Sequence, residues 1–153
     1  MRVAAFLAFV GLVVLSLRGV RWAYATFVVL GLLYFPAKAG FRLDPTACQL
    51  ALDIPLALFS LTNYAHVVLF ALFFLMTSAQ FRAFDRRVFA WAALATIAMG
   101  AAVEAAQGIS GWGHCRLRDL VPDGAGVVLG GLIAALWAWL RSARLGRHPL
   151  HGP

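Results

Sequence analysis

The sequence predicts an all-α integral membrane protein, a helical bundle of about five transmembrane helices that forms a single membrane domain over residues 1–153. Its 153 residues are 63% hydrophobic and only 12% charged, and the mean hydropathy is +0.85. A soluble domain carries about 25% charged residues, because its surface must face water. The apolar residues also fall into continuous runs, as in membrane helices. These runs are 3–17, 22–37, 56–80, 88–110 and 124–140.

The first two runs are short, and Arg18–Arg21 separate them. This spacing predicts a tight helical hairpin whose arginines reach the membrane interface. A hairpin that does not cross completely would leave four transmembrane helices. Met1 and Arg2 before the first run resemble the start of a signal peptide, but no small-x-small cleavage site precedes Arg18. We therefore interpret the run as a retained membrane segment, with cleavage as the alternative.

A more polar segment, residues 38–55, joins the second and third runs. Asp44 followed by Pro45 is typical of a helix start, with aspartate as the N-cap and proline at the first helical position. Asp53 and Pro55 are interpreted as the end of that helix. The pattern predicts a short interfacial helix near 45–53.

The third and fourth runs are each long enough to cross a hydrocarbon core of about 30 Å. The fifth run ends at Leu140. Residues 141–153 follow it as a polybasic tail that carries Arg141, Arg144, Arg147, His148 and His151.

The positive charges predict the orientation of the bundle. One side of a five-helix bundle holds eight arginines: Arg18, Arg21, Arg82, Arg86, Arg87, Arg141, Arg144 and Arg147. The other side holds five basic residues: Arg2, Lys38, Arg42, Arg116 and Arg118. The positive-inside rule then places the C-terminus in the cytoplasm and segments 38–55 and 111–123 outside, with the bundle in the cell membrane.

The net charge of +7 could also indicate nucleic-acid binding. The arginines, however, stand at the ends of apolar runs and form no basic face with interleaved aromatic residues. The pattern therefore excludes a nucleic-acid partner and indicates membrane lipids as partners.

Ionisable side chains in three of the predicted helices converge at one depth. Glu104 lies 16 residues after Val88, which places it about 24 Å along its helix, near the outward face. His66 opens the preceding helix at that face, and Asp119 and Asp123 open the next one. The predicted functional cluster comprises His66, Glu104, Gln107, Asp119 and Asp123, with His114, Arg116 and Arg118 as candidates in the loop.

Structural explanations of these residues stay open beside a functional one. Carboxylates at a helix N-terminus are stabilised by the helix dipole alone, and a neutral histidine can hydrogen-bond between helices. Glu104 could pair with Arg116 or Arg118, although an ionisable group within a membrane helix usually indicates function or a paired contact. No spacing is diagnostic of metal ligands, so we expect neither a metal nor another cofactor.

Small residues predict where the helices approach one another. Gly100 belongs to a ridge of residues four apart that ends at Glu104, and Gly126 and Gly130 form a G-x-x-x-G motif. The two cysteines, Cys48 and Cys115, both fall in outward segments. A disulfide between them and a pair of free thiols remain alternatives.

Over residues 62–140 these residues resemble the VanZ-like family of small membrane proteins. Members carry a histidine early in one helix, E-x-x-Q at the end of the next, and then D-x-x-x-N-x-x-G-x-x-x-G. His66 is similar to the histidine, Glu104 and Gln107 to E-x-x-Q, Asp119 to the aspartate, and Gly126 and Gly130 to the glycines. The resemblance implies a helix bundle of the cell envelope with a link to resistance against glycopeptide antibiotics such as teicoplanin.

The chain departs from the family pattern at several positions. Thr62 and Asn63 replace the Asp and Lys that often precede the histidine, and Asp123 replaces the asparagine. The loop arginine usual near Gly113 is missing, and His114, Arg116 or Arg118 could take its place.

Three functional hypotheses follow. The first is a non-catalytic envelope protein whose outward cluster binds a lipid-linked or cell-wall component, or a glycopeptide, and so alters antibiotic susceptibility. The second is an enzyme acting on a lipid head group, with Glu104 and His66 as an acid–base pair. The third is a small transporter or proton relay, since ionisable groups in membrane helices also mark ion paths. It is the weakest of the three, because no continuous polar path crosses the predicted helices.

Overall fold

The computed structural model describes residues 2–51 and 53–144, and these form an all-helical bundle. Six α-helices occur in chain order: α1 (Arg2–Leu17), α2 (Arg21–Lys38), α3 (Ile54–Ser60), α4 (Tyr64–Ser78), α5 (Arg86–Ser110) and α6 (Leu120–Arg144). A short 3-10 helix, Leu117–Asp119, precedes α6. The predicted polybasic tail lies outside the described residues from position 145 onward, and with it Arg147, His148 and His151.

Helices α1 and α2 form the predicted hairpin. Gly19 takes a left-handed conformation (φ +79°) in the turn, and a Cβ there would lie 2.9 Å from the carbonyl oxygen of Ala79. The turn is therefore seated against the end of α4. The hydroxyl of Tyr24 hydrogen-bonds that of Thr77 at 2.9 Å, which fixes α2 beside α4.

The predicted interfacial helix near 45–53 is wrong. The described residues of this segment are not helical, and a helix starts only at Ile54, where the carboxylate of Asp53 caps it by accepting from the N–H of Leu56. The N–H groups of Asp44 and Thr46 instead donate to Ile109 and Gly108, at 3.2 and 2.8 Å. These carbonyls lie in the last turn of α5 and have no partner within that helix, so the N–H groups of the non-helical segment satisfy them.

The third apolar run, 56–80, does not form one straight helix. It is divided between α3 and α4, which meet at an angle of 70°. At the break, the hydroxyls of Ser60 and Thr62 each donate a hydrogen bond to the carbonyl three residues earlier, those of Ala57 and Phe59. Such local bonds compete with continuation of a helix.

Helices α5 and α6 have 25 residues each, and both are long and apolar enough to cross a membrane. Asp85 caps the start of α5 by accepting from the N–H of Val88 at 2.8 Å. Gly111 ends the helix in a left-handed conformation (φ +63°). Counting α3 and α4 as one bent span raises the number of candidate spans in the described chain from two to three.

The core depends on close packing of α6 against α4. A Cβ on Gly126 would lie 2.7 Å from Cβ of Phe70, and one on Gly130 would lie 2.8 Å from the carbonyl oxygen of Ala71. Ala92, Thr96, Gly100 and Glu104 on α5 are all buried, as the ridge predicted. Large apolar side chains meanwhile cover the outside of the bundle, among them Phe6, Leu58, Leu132 and Trp139, each at least 60% exposed.

We expect Gly126→Ala to lower the free energy of unfolding by about 1–3 kcal/mol, because its methyl group would overlap α4. Gly124→Ala is the matched control, since no atom lies within 4 Å of a Cβ there and alanine favours a helix. Thermal unfolding of both variants in detergent tests the packing. Equal effects at the two glycines would contradict it.

Candidate functional site

The polar residues meet where α4 starts, α5 ends and α6 starts; we call this region the polar end. At its centre, Nδ1 of His66 and Oδ1 of Asp123 are hydrogen-bonded at 3.3 Å. Asp123 is 1% exposed, and its second oxygen lies against the backbone of Gly100 on α5. The carboxylate of Asp123 is thus enclosed by three helices, with His66 as its side-chain partner.

Glu104 lies one helical turn beyond Gly100 on the same buried ridge and is 7% exposed. Its Oε2 accepts a hydrogen bond from the backbone N–H of Arg116 at 2.7 Å. No ion pair within 4 Å joins Glu104 to Arg116 or Arg118 in the described structure. Of the two arginines considered as partners of Glu104, Arg116 contacts it through its main chain, and the guanidinium does not take part.

Asp119 and Asp123 belong to different elements, because Asp119 ends the 3-10 helix and α6 starts at Leu120. Asp119 lies 3.9 Å from Nε of Arg118 in a partly exposed pair. Asp123 alone is enclosed with His66. The structure thus separates the two aspartates that the sequence places together at one helix start.

The remaining candidates flank this centre. The side-chain oxygen of Gln107 lies near Gly113, where a Cβ would approach it to 3.1 Å, so Gln107 faces the loop between α5 and α6. His114 is exposed and makes no side-chain hydrogen bond within the described residues. Nε of Arg116 is buried without a hydrogen-bond partner in the same part of the chain.

A covalently closed cap covers the polar end, formed by residues 44–49 and 111–117; we call it the disulfide cap. Cys48 and Cys115 are joined by a disulfide, with their Cα atoms 4.7 Å apart. The N–H of Gln49 donates to the carbonyl of Cys115, and the N–H of Leu117 donates to that of Gln49. Gly108 lets the bridge approach α5, since a Cβ there would lie 3.2 Å from Sγ of Cys48.

An apolar cavity of about 470 Å³ opens beside the polar end, between α1, α2, α4 and α5. Phe27, Phe73, Met99 and Val103 are among its walls, and His66 lines it as well. The side chain of His66 is 29% exposed, so it belongs both to the buried polar pair and to the cavity. Sequence reasoning missed this cavity, because its wall residues are ordinary apolar residues of four separate helices.

Chemically, the site offers two buried carboxylates, an imidazole and a nearby apolar cavity. No group of three or more His, Cys, Asp or Glu side chains in the described chain is arranged to hold a metal ion. Comparison with known proteins found no match among protein-family models, curated proteins or solved structures.

The disulfide should contribute about 2–4 kcal/mol to stability, because it closes a loop of 67 residues that would otherwise gain entropy on unfolding. We expect Cys48→Ser, Cys115→Ser and the double variant to be destabilised to a similar extent, since each lacks the same bond. Non-reducing mass analysis of protein from native membranes checks the bond itself. Two free thiols in that protein would contradict it.

His66 and Asp123 should be energetically coupled. We expect the double-mutant cycle of His66→Ala with Asp123→Asn to give an interaction energy of about 0.5–3 kcal/mol in thermal unfolding. The matched control pairs His114→Ala with Asp123→Asn, because His114 is exposed and lies outside the pair. Additive effects in the first cycle would show that the two side chains do not interact.

Proposed function

We propose that this chain is a VanZ-like, multi-pass protein of the bacterial inner membrane that binds a lipid-linked envelope component at the polar end. The head group of the component would contact His66 and Glu104, and its hydrocarbon chain would occupy the apolar cavity. The binding would be non-catalytic. The order of the residues His66, Glu104, Gln107, Asp119, Gly126 and Gly130 along three helices supports the family assignment.

In the proposed topology five spans cross the membrane: α1, α2, the bent pair α3–α4, α5 and α6. The apolar exterior of the bundle supports this, because contiguous exposed apolar surface of that extent is unfavourable in water. The excess of arginines at the other end of the bundle favours a cytoplasmic C-terminus and an outward polar end. The disulfide agrees with an outward cap, since disulfides persist in oxidising compartments.

The observation that carries the proposal is the position of His66, which lines the apolar cavity while its ring is hydrogen-bonded to the buried Asp123. The site therefore has a polar part and an adjoining apolar part, and an amphiphilic ligand is divided in the same way. Pockets that bind such molecules have mostly apolar walls with a few polar groups that fix orientation.

The polar groups should determine which amphiphile is bound. A hydrocarbon chain that enters the cavity from a bilayer leaves an equally apolar medium, so its burial contributes little free energy. Polar contacts made in a medium of low dielectric are stronger than the same contacts in water. Selectivity among amphiphiles is therefore expected from His66 and Glu104, and the cavity would determine where the hydrocarbon chain of the ligand lies.

Binding of an envelope precursor would alter the susceptibility of the cell to glycopeptides, which act on the cell wall outside the membrane. Expression in a susceptible host is then expected to change the inhibitory concentration of teicoplanin. Glu104→Gln should alter this effect, because it keeps the shape and the acceptor for the N–H of Arg116 but replaces the carboxyl group with an amide.

One observation favours a second candidate, an enzyme acting on a lipid head group. A carboxylate that holds one nitrogen of an imidazole is the arrangement that orients a general base. The carboxylate within hydrogen-bond distance of His66 is that of Asp123, whereas the sequence suggested Glu104 as the partner. Glu104 would then contact the head group separately.

The binding test uses the purified full chain, titrated with a long-chain polyprenyl phosphate and followed by native mass spectrometry. Val103→Phe should weaken binding at least about tenfold, because the larger side chain fills part of the cavity that Val103 and His66 both line. Leu94→Phe is the matched control, since Leu94 is 59% exposed on the same helix and does not line the cavity.

His66→Ala should weaken binding by a similar factor, whereas Glu104→Gln should not weaken it, because an amide does not repel the anionic phosphate as a carboxylate does. Equal affinity of all five proteins would contradict the proposal. If the unaltered protein converts the phosphate to a product and His66→Ala abolishes that conversion, the enzyme hypothesis would replace the binding proposal.

A further inference from the structure

A second cavity lies at the opposite end of the bundle and plays no part in the proposed function. It is a groove of about 910 Å³ between the α1–α2 turn, the connection from α4 to α5 and the last turns of α6. Arg18, Arg82 and Arg141 line it, and each comes from a different one of these three elements. We infer that this arginine groove binds an anionic phospholipid, with the phosphate at the arginines and the acyl chains on its apolar walls.

The structure holds the arginines near one another. Nε2 of Gln80, just beyond α4, donates to the carbonyls of Ser16 and Met76, both at 2.8 Å. The two hydrogen bonds connect the end of α1 to the end of α4, and Gly19 lets the turn approach Ala79 closely. The turn that carries Arg18 is thereby fixed beside the connection that carries Arg82.

The third arginine is positioned by its own helix. The guanidinium of Arg141 lies over the ring of Trp137 at 5.1 Å from the ring centre, and both side chains line the groove. Such a cation–π contact holds the charge at the edge of the apolar wall. An arginine in this position can contact a phosphate while the ring contacts the first part of an acyl chain.

The positive charge of the groove is not neutralised within the described chain. Neither of the ion pairs found there includes Arg18, Arg82 or Arg141. Asp85 is the acidic residue nearest to Arg82 in sequence, and its carboxylate caps α5 at Val88. Three guanidinium groups on one cavity are therefore complementary to an anion.

The walls between the arginines identify the kind of anion. Phe84, Ile133, Leu136 and Trp137 make much of the lining apolar. A free phosphate or a soluble nucleotide would leave that surface uncovered, whereas a phospholipid covers it with its acyl chains. Basic pockets between helices on the cytoplasmic side of a membrane recognise anionic lipid head groups in this way.

The test uses the purified full chain in lipid nanodiscs and measures which lipids are retained after extraction, by native mass spectrometry. We expect phosphatidylglycerol to be retained at least about tenfold more than phosphatidylcholine. The triple variant Arg18→Gln, Arg82→Gln, Arg141→Gln should lose that preference, because it removes the three charges of the groove that attract the phosphate.

The matched control is the triple variant Arg21→Gln, Arg86→Gln, Arg87→Gln. It removes the same charge from the same end of the bundle, but none of its residues lines the groove. The control should keep the preference within about threefold. Equal losses in the two triples would overturn the inference, because the attraction would then be a general effect of surface charge.

Two further measurements distinguish the remaining outcomes. The triple variant Arg18→Lys, Arg82→Lys, Arg141→Lys keeps the charge and should retain part of the preference, which separates lost recognition from misfolding. Inorganic phosphate at millimolar concentration should not displace the lipid. Displacement by phosphate, or equal retention of the two lipids by the unaltered chain, would contradict a phospholipid site.

Discussion

The close approach of α6 to α4 is the constraint on which the rest of the structure depends. Gly126 and Gly130 bring the two backbones together where any side chain would overlap Phe70 or Ala71. This approach also decides where Asp123 lies, because it stands less than one turn before Gly126 on the same helix. A wider separation would take its carboxylate away from His66 on α4 and from the gap above Gly100 on α5. Packing between helices and assembly of the polar pair therefore have the same cause.

The two buried carboxylates of the polar end are satisfied in different ways, and the difference links the site to its cap. Asp123 has a side-chain partner on a neighbouring helix, so its environment depends on the bundle. Glu104 has a main-chain partner, the N–H of Arg116, next to the disulfide of Cys115. The cap must therefore stay in place for Glu104 to keep its hydrogen bond. A buried acceptor without a partner is costly, so the covalent bridge stabilises the site as well as the loop.

Much of the helical bundle and of the polar cluster could be predicted from the sequence. Both follow from the length of the apolar runs, the helical spacing of residues and the order of the polar residues along the chain. The ridge to Glu104 and the glycines of α6 needed only helical spacing. The structure near 45–53 could not be predicted correctly, because Asp44 and Pro45 satisfy the local rules for a helix start. The same segment instead hydrogen-bonds to the carbonyls of Gly108 and Ile109, which are distant in sequence. The break at Thr62 and the pairing of His66 with Asp123 were also beyond local rules. They depend on the angle between elements, which periodicity does not contain.

The two ends of the bundle differ in whether their charged side chains have partners within the protein, and this asymmetry follows from the order of the elements. At the polar end, three helices and a disulfide-closed cap enclose the carboxylates, so Asp123 and Glu104 find their partners within the chain. At the other end, the connections are short and the arginines project from separate elements around an open groove. Charges of one sign on neighbouring elements cannot neutralise one another, so their counter-charge must come from outside the protein. The enclosed end thus keeps its charges in contacts within the fold, while the open end leaves its positive charges accessible from outside the protein.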